Sequence, residues 1–572
     1  MLPVFAPTED RSLTQRDDDA GRGQHSLPGL VWVALGAGVG LIDFWGSRYN
    51  LNPDGISYVE MASHAVVRGP AGLINGYWSP GYPALIAPVL WLVPRGWVTV
   101  IPALHVVNLL ILFLAMAMFV GLLRVRSRTP DANSTPPGAG LSRYTLAFGI
   151  AAFAVIAVQC IGLGLLTPDL GVMLVVLVTV RLCLQLERST GSWRTAVGLG
   201  LVLGLGYWMK AILLPLNALL LLALFVLPPR TDRARAKVIV AAIVFVLAAL
   251  PLITLVSAKV GHMSIGEVGR LNYAWEVDGV TPFVGWVGDS ANAFGTPVHP
   301  PRVLQAAPQT LEFATPIRAT YPLWFDPSYW YAGLRPRIEF AGQWRVLKRG
   351  LHDLASLLQV EWAVVAGLLA LWLASARRPG ATDRSNVPVV IVLWSIAAAL
   401  VYALVHVEPR YLAGFFATGV VAAWSGLARR TPRPAMRVVL PAVMVALLVS
   451  LVRDLRQNTG GFQPTYRPDY LVEAEQLHRI GVARGDHVAM VGDAFEAYAA
   501  FGAETPITAQ VMDSTGFWQL TPVARSELQM KLAATGVRAL LANNVSSEMG
   551  AEGWRIFSRS DSSNLGVLIL RP

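Results

Sequence analysis

The sequence predicts a mostly α, polytopic membrane helical bundle of about eleven spans, with interfacial helices in its first outer loop and a small C-terminal extracytoplasmic α/β domain. Three observations carry this reading. Of 572 residues, 54% are hydrophobic and only 14% are charged, against roughly 25% charged in an average protein. Apolar runs of about 18 residues or more recur along the chain, long enough to cross a bilayer as a helix. Between these runs lie five short basic stretches, at 124–143, 181–194, 230–237, 377–384 and 429–437. Lys and Arg beside spans are held on the cytoplasmic side, so these stretches assign a side to every loop.

Residues 1–27 are polar and rich in Asp, Arg and Gly, and read as a disordered cytoplasmic tail. The transmembrane region covers 28–453. Its expected spans are 28–45, 97–123, 144–163, 169–186, 195–209, 211–228, 238–257, 355–374, 387–406, 411–428 and 438–453. The first lacks a small-residue cleavage site and reads as a retained span. The spans 195–209 and 211–228 are short and almost continuous, so they form a tight hairpin meeting at Lys210. The run 81–94 is apolar but short, and contains Pro83, Pro88 and Pro94. If it crossed the membrane, every later loop would invert and all five basic stretches would face outward. It is therefore expected to lie in, or dip into, the outer interface.

Three pieces remain outside. The first is the loop 46–96. The second is the long loop 258–354, dense in aromatics between Trp275 and Tyr331. Those rings suit either an interfacial belt or stacking on sugar faces. The third is the segment 454–572, where strands at 487–491, 539–542 and 566–570 alternate with helices at 473–480 and 526–534. That alternation predicts an α/β domain. The mean hydropathy of +0.50 agrees with a membrane protein. The formal charge of +10 sits in short loop clusters with no accompanying motif, which excludes a nucleic-acid partner. Cys160 and Cys183 fall in apolar helices and offer neither a disulfide framework nor metal-ligand spacing.

With the basic stretches inside, Asp54, Asp169, Lys210, Glu408 and Arg410 all fall near the outer surface, from five separate parts of the chain. Ionisable groups at membrane depth are costly and need a reason. Each has a plain one. Asp54 and Asp169 stand where helix caps belong, Lys210 suits a snorkelling helix end, and Glu408 pairs locally with Arg410. Together they offer chemistry: an acid to take a proton from an attacking hydroxyl, cations to stabilise a departing phosphate, and a second acid to hold a divalent cation.

The segment from Asp54 through Tyr58 to Ala62, followed by Asn75-Gly76-Tyr77-Trp78-Ser79-Pro80-Gly81-Tyr82-Pro83, resembles the first outer loop of the GT-C glycosyltransferases. It resembles most the bacterial branch related to protein O-mannosyltransferases and lipid A aminoarabinose transferase. Thr167-Pro168-Asp169 is similar to that family's second outer acid. The turn from Gly206 to Lys210 is similar to its Lys-bearing turn, and Glu408-Pro409-Arg410-Tyr411 to its late Glu-Arg-Tyr motif. The likeness spans most of 28–453.

This resemblance implies a hexosyl or pentosyl transferase that uses a polyprenyl-phosphate sugar donor at the outer face of a bacterial plasma (inner) membrane, by an inverting mechanism. Asp54 would be the catalytic base. Asp169 would serve a metal or the acceptor, and Lys210 and Arg410 the donor phosphate. Tyr58, Glu408 and Tyr411 would support them. The implied partners are the lipid-linked donor, membrane lipid, and a lipid, glycan or protein acceptor. The implied cofactor is at most a divalent metal ion. The chain departs from the family in one respect: Gly55 follows Asp54 where a second acid often stands, which bears on the metal. Glu60 and His64, on the same helix, read as packing and surface residues. Asp43, at the end of the first span, is a lesser candidate for a secondary contributor, and Asp326 reads as a turn residue. Two other function classes remain at this stage. A transporter would carry its carboxylates near the bilayer midplane. A non-catalytic scaffold would bind a partner through its C-terminal domain.

Overall fold

The computed structural model describes residues 27–570, except 94–95, 128–142, 188–191, 282–285, 289–292, 375–385, 431–432, 456–460, 464–465 and 497. The expected N-terminal tail, the basic stretch 377–384 and most of 124–143 lie outside the described residues.

A backbone in lipid must satisfy its own hydrogen bonds, and continuous apolar runs do so as helices. Each expected span falls on helical chain, and all but that at 355–374 follow a single helical run. Among the described residues, four windows reach the length and hydropathy of a span: Leu30–Ser47, Trp97–Leu123, Asp169–Glu187 and Ala234–Val260. Shorter apolar helices, among them Leu213–Val226 and Val387–Ala403, pack with them. Their apolar faces form one core, with Phe119, Phe148, Phe153, Met173 and Leu216 at or near zero exposure.

One span differs from expectation. The run expected at 355–374 is two helices, Phe340–Val360 and Trp362–Ala374, which meet at 72° around Glu361. The first carries Arg345, Lys348, Arg349, His352 and Asp353 on its surface, so it cannot continue into lipid. The apolar portion starts at Trp362. A second detail is the end of the third apolar run. Arg143–Ile156 finishes in a π-helical turn, Ala157–Ile161, closed by Gly162 at φ +70°.

The expected interfacial segment is the helix Gly81–Leu92. It packs so tightly that a Cβ at Gly81 would stand 2.8 Å from the Trp208 carbonyl oxygen. It follows the helix Pro53–Arg68, and the two lie side by side.

The C-terminal region builds a mixed seven-stranded sheet: β1 (Arg302–Gln305), β2 (Thr310–Glu312), β3 (His487–Val491), β4 (Ile507–Val511), β5 (Val537–Asn543), β6 (Arg555–Ser558) and β7 (Asn564–Ile569), in the order β1-β2-β4-β3-β5-β7-β6. The strands expected at 487–491, 539–542 and 566–570 are present. However, β1 and β2 come from the long loop 258–354, with Thr310 opposite Val511 and Glu312 opposite Ala509. The sheet is therefore not confined to 454–572.

A second core joins the loops 46–96 and 258–354 to the C-terminal region. Tyr58, Trp78 and Tyr82 from the first loop, Trp275, Trp324 and Trp330 from the second, and Phe501, Val488 and Leu541 from the C-terminal region all belong to it. The rings meet edge to face, as their quadrupoles favour: Tyr58 lies 5.1 Å from Trp78, and Trp78 5.3 Å from Trp324. Buried Arg48 fastens the chain after the helix Arg433–Leu455 to the end of the first helix. It lies over the Trp45 ring at 4.1 Å and donates to the carbonyls of Gly461 and Gln463.

Candidate functional site

The site is assembled from helix ends. Asp54 lies in the first turn of Pro53–Arg68, Asp169 opens Asp169–Glu187, Lys210 ends Trp193–Met209, and Arg410 lies in the first turn of Pro409–Arg430. The structure brings all four together. Arg410 Nη2 donates to Asp54 Oδ2 at 3.0 Å, and its Nη1 lies 3.7 Å from Asp169 Oδ2. Lys210 Nζ donates to Asp169 Oδ1 at 2.7 Å and sits 3.6 Å from the Tyr411 ring centroid. Arg410 Nε donates to Glu408 Oε2, and Tyr411 OH donates to Glu408 Oε1 at 3.0 Å. One guanidinium thus spans three carboxylates. Its planar fork of donors permits this, and a Lys ammonium does not.

The plain roles and the chemical ones coexist. Glu408 and Arg410 do form the local pair, yet Arg410 reaches further. Asp54 and Asp169 do occupy first turns, but their carboxylates face cations. Thr167 Oγ1 donates to Asp169 Oδ2 at 2.8 Å and helps aim it. Lys210 is more than a snorkelling end, because its ammonium is held by a buried carboxylate.

Not every expected residue joins. Tyr58 is buried beside the network but turns its ring to Trp78 and Tyr82. Asp43 is buried elsewhere and accepts from the Leu163 backbone N–H at 2.8 Å. Glu60 accepts from the Thr320 N–H at 2.6 Å and so ties the first loop to the second. His64 meets the Phe325 ring edge-on. Asp326, expected only as a turn residue, is buried, accepts from Ser328 Oγ, and lies 3.5 Å from Lys259 Nζ.

Sequence reasoning missed His406. Its Nε2 lies 3.2 Å from Glu408 Oε1 and its Nδ1 3.7 Å from Glu276 Oε1, so both ring nitrogens face carboxylates. Its place two residues before Glu408 in a short outer turn was the available signal.

Burial raises the Asp54 carboxyl above the ordinary carboxylate range, while the Arg410 guanidinium works against that rise. Burial also acts to raise Glu408, but His406 and Arg410 outweigh it and hold Glu408 well below its ordinary value.

The donor set does not suit a divalent ion. Among the described residues, no three of His, Cys, Asp and Glu gather as metal ligands. The carboxylates that do approach one another are already bridged by Arg410 and Lys210. The departure at Gly55 has a steric reason. A Cβ there would lie 2.6 Å from Asn52 Oδ1 and 3.0 Å from Leu166 Cβ, so any larger residue beside Asp54 would have to displace the Asn52 side chain.

All the helices that carry the network run away from it. Asp169–Glu187, with 19 residues, spans about 28 Å at 1.5 Å per residue. At its far end lies the basic stretch 181–194, from which Trp193–Met209 returns to Lys210. Leu213–Val226 leads likewise to 230–237, and Pro409–Arg430 to 429–437. These three stretches therefore lie at the opposite helix ends from the carboxylates.

No protein-family model matches the chain, and no curated protein does. Solved structures do. ArnT from Cupriavidus metallidurans, determined with undecaprenyl phosphate and in the apo state, superposes with a TM-score of 0.53 in both forms. The sequence identities are 13% and 14%, over 94% of this chain and 98% of that one. The oligosaccharyltransferase AglB from Archaeoglobus fulgidus, determined with an inhibitory peptide and a dolichol-phosphate, gives 0.49 at 12% identity over 91% of this chain and 70% of that one. The chain has the fold of the GT-C glycosyltransferases that its outer-loop motifs resemble.

Proposed function

We propose that the chain is an inverting membrane glycosyltransferase that moves a hexosyl or pentosyl group from a polyprenyl-phosphate donor to an acceptor at the outer face of a bacterial plasma membrane. The observation that carries this is the pairing of Asp54 with Arg410, beside Lys210 and Asp169, at one end of the helices. The basic stretches at the opposite ends support an extracytoplasmic site. The carboxylates lie at helix ends, unlike the midplane carboxylates of a transporter.

In this reading an acceptor hydroxyl or amine attacks the anomeric carbon as the bond from that carbon to the phosphate oxygen breaks. Asp54 takes the acceptor's proton. The departing phosphate changes from a diester to a monoester and gains negative charge. Lys210 and Arg410 are placed to receive that charge. Arg410 also couples donor to base. When its guanidinium turns to a phosphate, Asp54 loses its main counter-charge and becomes a better proton acceptor. Asp169 keeps Lys210 in place, Glu408 and Tyr411 do the same for Arg410, and no step passes through a metal.

The test is the lipid extract of cells lacking the protein. A polyprenyl-phosphate sugar that builds up there, and clears when the wild-type gene returns, supports the reading. An unchanged lipid-linked sugar pool contradicts it.

A further inference from the structure

A cavity of about 640 Å³ opens between the end of the first helix, the π-helical turn at Ala157–Ile161 and the C-terminal region. Its size falls within the usual range of small-ligand sites, roughly 300–1,000 Å³. It does not contain Asp54, Lys210 or Arg410, but it shares two chain segments with their network. Asn50 and Leu51 line the cavity just before Asp54, and Gly164 and Leu165 line it just before Thr167 and Asp169.

The lining accepts hydrogen bonds far more than it donates them. Among the described residues the lining holds five acids, Asp43, Asp469, Glu473, Glu496 and Asp561, against one cationic residue, Arg559; the Arg48 guanidinium lies 5.0 Å from the ring centroid of Tyr49, which also lines the cavity. Arg559 is consumed by Glu473, to which its Nε donates at 2.6 Å. The local surplus is therefore negative in a chain whose formal charge is +10. Two aromatic pairs complete the walls, Tyr49 tilted against Tyr466 and Tyr470 edge-on to Tyr498, each with centroids 6.3 Å apart. Rings of this kind stack on the C–H faces of sugars and attract cations.

A ligand that matches this lining must be rich in donors, positively charged and able to stack. The surplus of acids in the lining disfavours phosphate and carboxylate groups. We propose that this cavity binds the acceptor, and that the acceptor is a saccharide bearing protonated amines. The inference rests on the transferase reading and adds the acceptor class to it.

The experiment uses the full chain in detergent micelles at low ionic strength, with three trisaccharides of matched size followed by calorimetry. These are the glucosamine trimer (cationic), the N-acetylglucosamine trimer (neutral) and the galacturonic acid trimer (anionic). The glucosamine trimer is expected to bind saturably and the galacturonate trimer not to bind. The neutral trimer, and the E496Q/D561N double variant titrated with the cationic one, should each bind about fivefold or more weakly. Both substituted carboxylates lie outside the network and leave Arg559 paired.

Equal binding of all three sugars, no saturable binding of the cationic trimer, or an unaffected double variant overturns the proposal. Trilysine binding as tightly as the glucosamine trimer overturns the saccharide class. Release of polyprenyl phosphate from the donor is measured separately. A chain that discharges donor but ignores these sugars loses this inference alone, and one that binds them but never discharges donor loses the transferase reading.

Discussion

Arg410 Nη2 lies 3.0 Å from Asp54 Oδ2, although 356 positions separate the two residues. The same guanidinium reaches Glu408 and Asp169. Arg410→Lys keeps the charge but cannot span three carboxylates. We expect it to lower kcat/KM for donor discharge by about 100-fold, with the protein still folded by thermal unfolding. Wild-type turnover by this variant would show that the bridging geometry has no part in the reaction.

Lys210 pairs with Asp169 and packs over the Tyr411 ring. Lys210→Met removes a phosphate contact and leaves Asp169 without its ammonium. KM for donor should rise by about 10-fold or more, with a smaller change in kcat. Adding Asp169→Asn should recover thermal stability but not donor affinity. Recovery of both in the double variant would assign Lys210 to structure alone.

Much of this was legible in the sequence, for a definite reason. Asp54, Asp169, Lys210, Glu408 and Arg410 each stand at the end of an apolar run, and the charge bias of the loops places all those ends on one side. Co-location followed without any side-chain geometry. What could not be read was long-range. β2 pairs with a strand some 200 positions later, as Thr310 does with Val511, and β1 joins the sheet only through β2; short strands inside a loop leave no local periodicity to mark them. The bend at Glu361 was hidden because the amphipathic helix before it runs directly into an apolar one. The supporting role of Tyr58 is what the family resemblance implies; its ring packs in the aromatic core that joins both loops to the C-terminal region. The steric reason for Gly55 depends on Leu166, which only the folded chain brings near.

Glu60 supplies a pH-dependent contribution to stability. Burial pushes its carboxyl from 4.5 up to about 7, against the hydrogen bonds from Thr320. The folded protein therefore holds a proton that the unfolded chain has lost between these two values. Stability falls as pH rises through that window and then levels off. Glu60→Gln keeps an acceptor for the Thr320 N–H without the charge. Its Tm should match wild type near pH 4.5 and exceed it by about 2 °C or more above pH 7. An equal Tm difference at both pH values would contradict the burial of this carboxylate.

Because the neighbouring carboxylates are already bridged by Arg410 and Lys210, EDTA should leave donor discharge unchanged within twofold, and added Mn²⁺ or Mg²⁺ should not raise it by more than that. Loss of activity on chelation, restored by one divalent ion, would show that the cations yield their places to a metal during turnover.

The most direct measurement is donor discharge by purified protein, comparing wild type with Asp54→Asn on a labelled polyprenyl-phosphate sugar across pH. Burial raises Asp54, so discharge by wild type should fall as pH drops through a value above the ordinary carboxylate range, because the base must be ionised. Asp54→Asn should discharge donor about 100-fold or more slowly at every pH, while unfolding at the wild-type temperature. Discharge by Asp54→Asn at the wild-type rate would contradict the account at its centre.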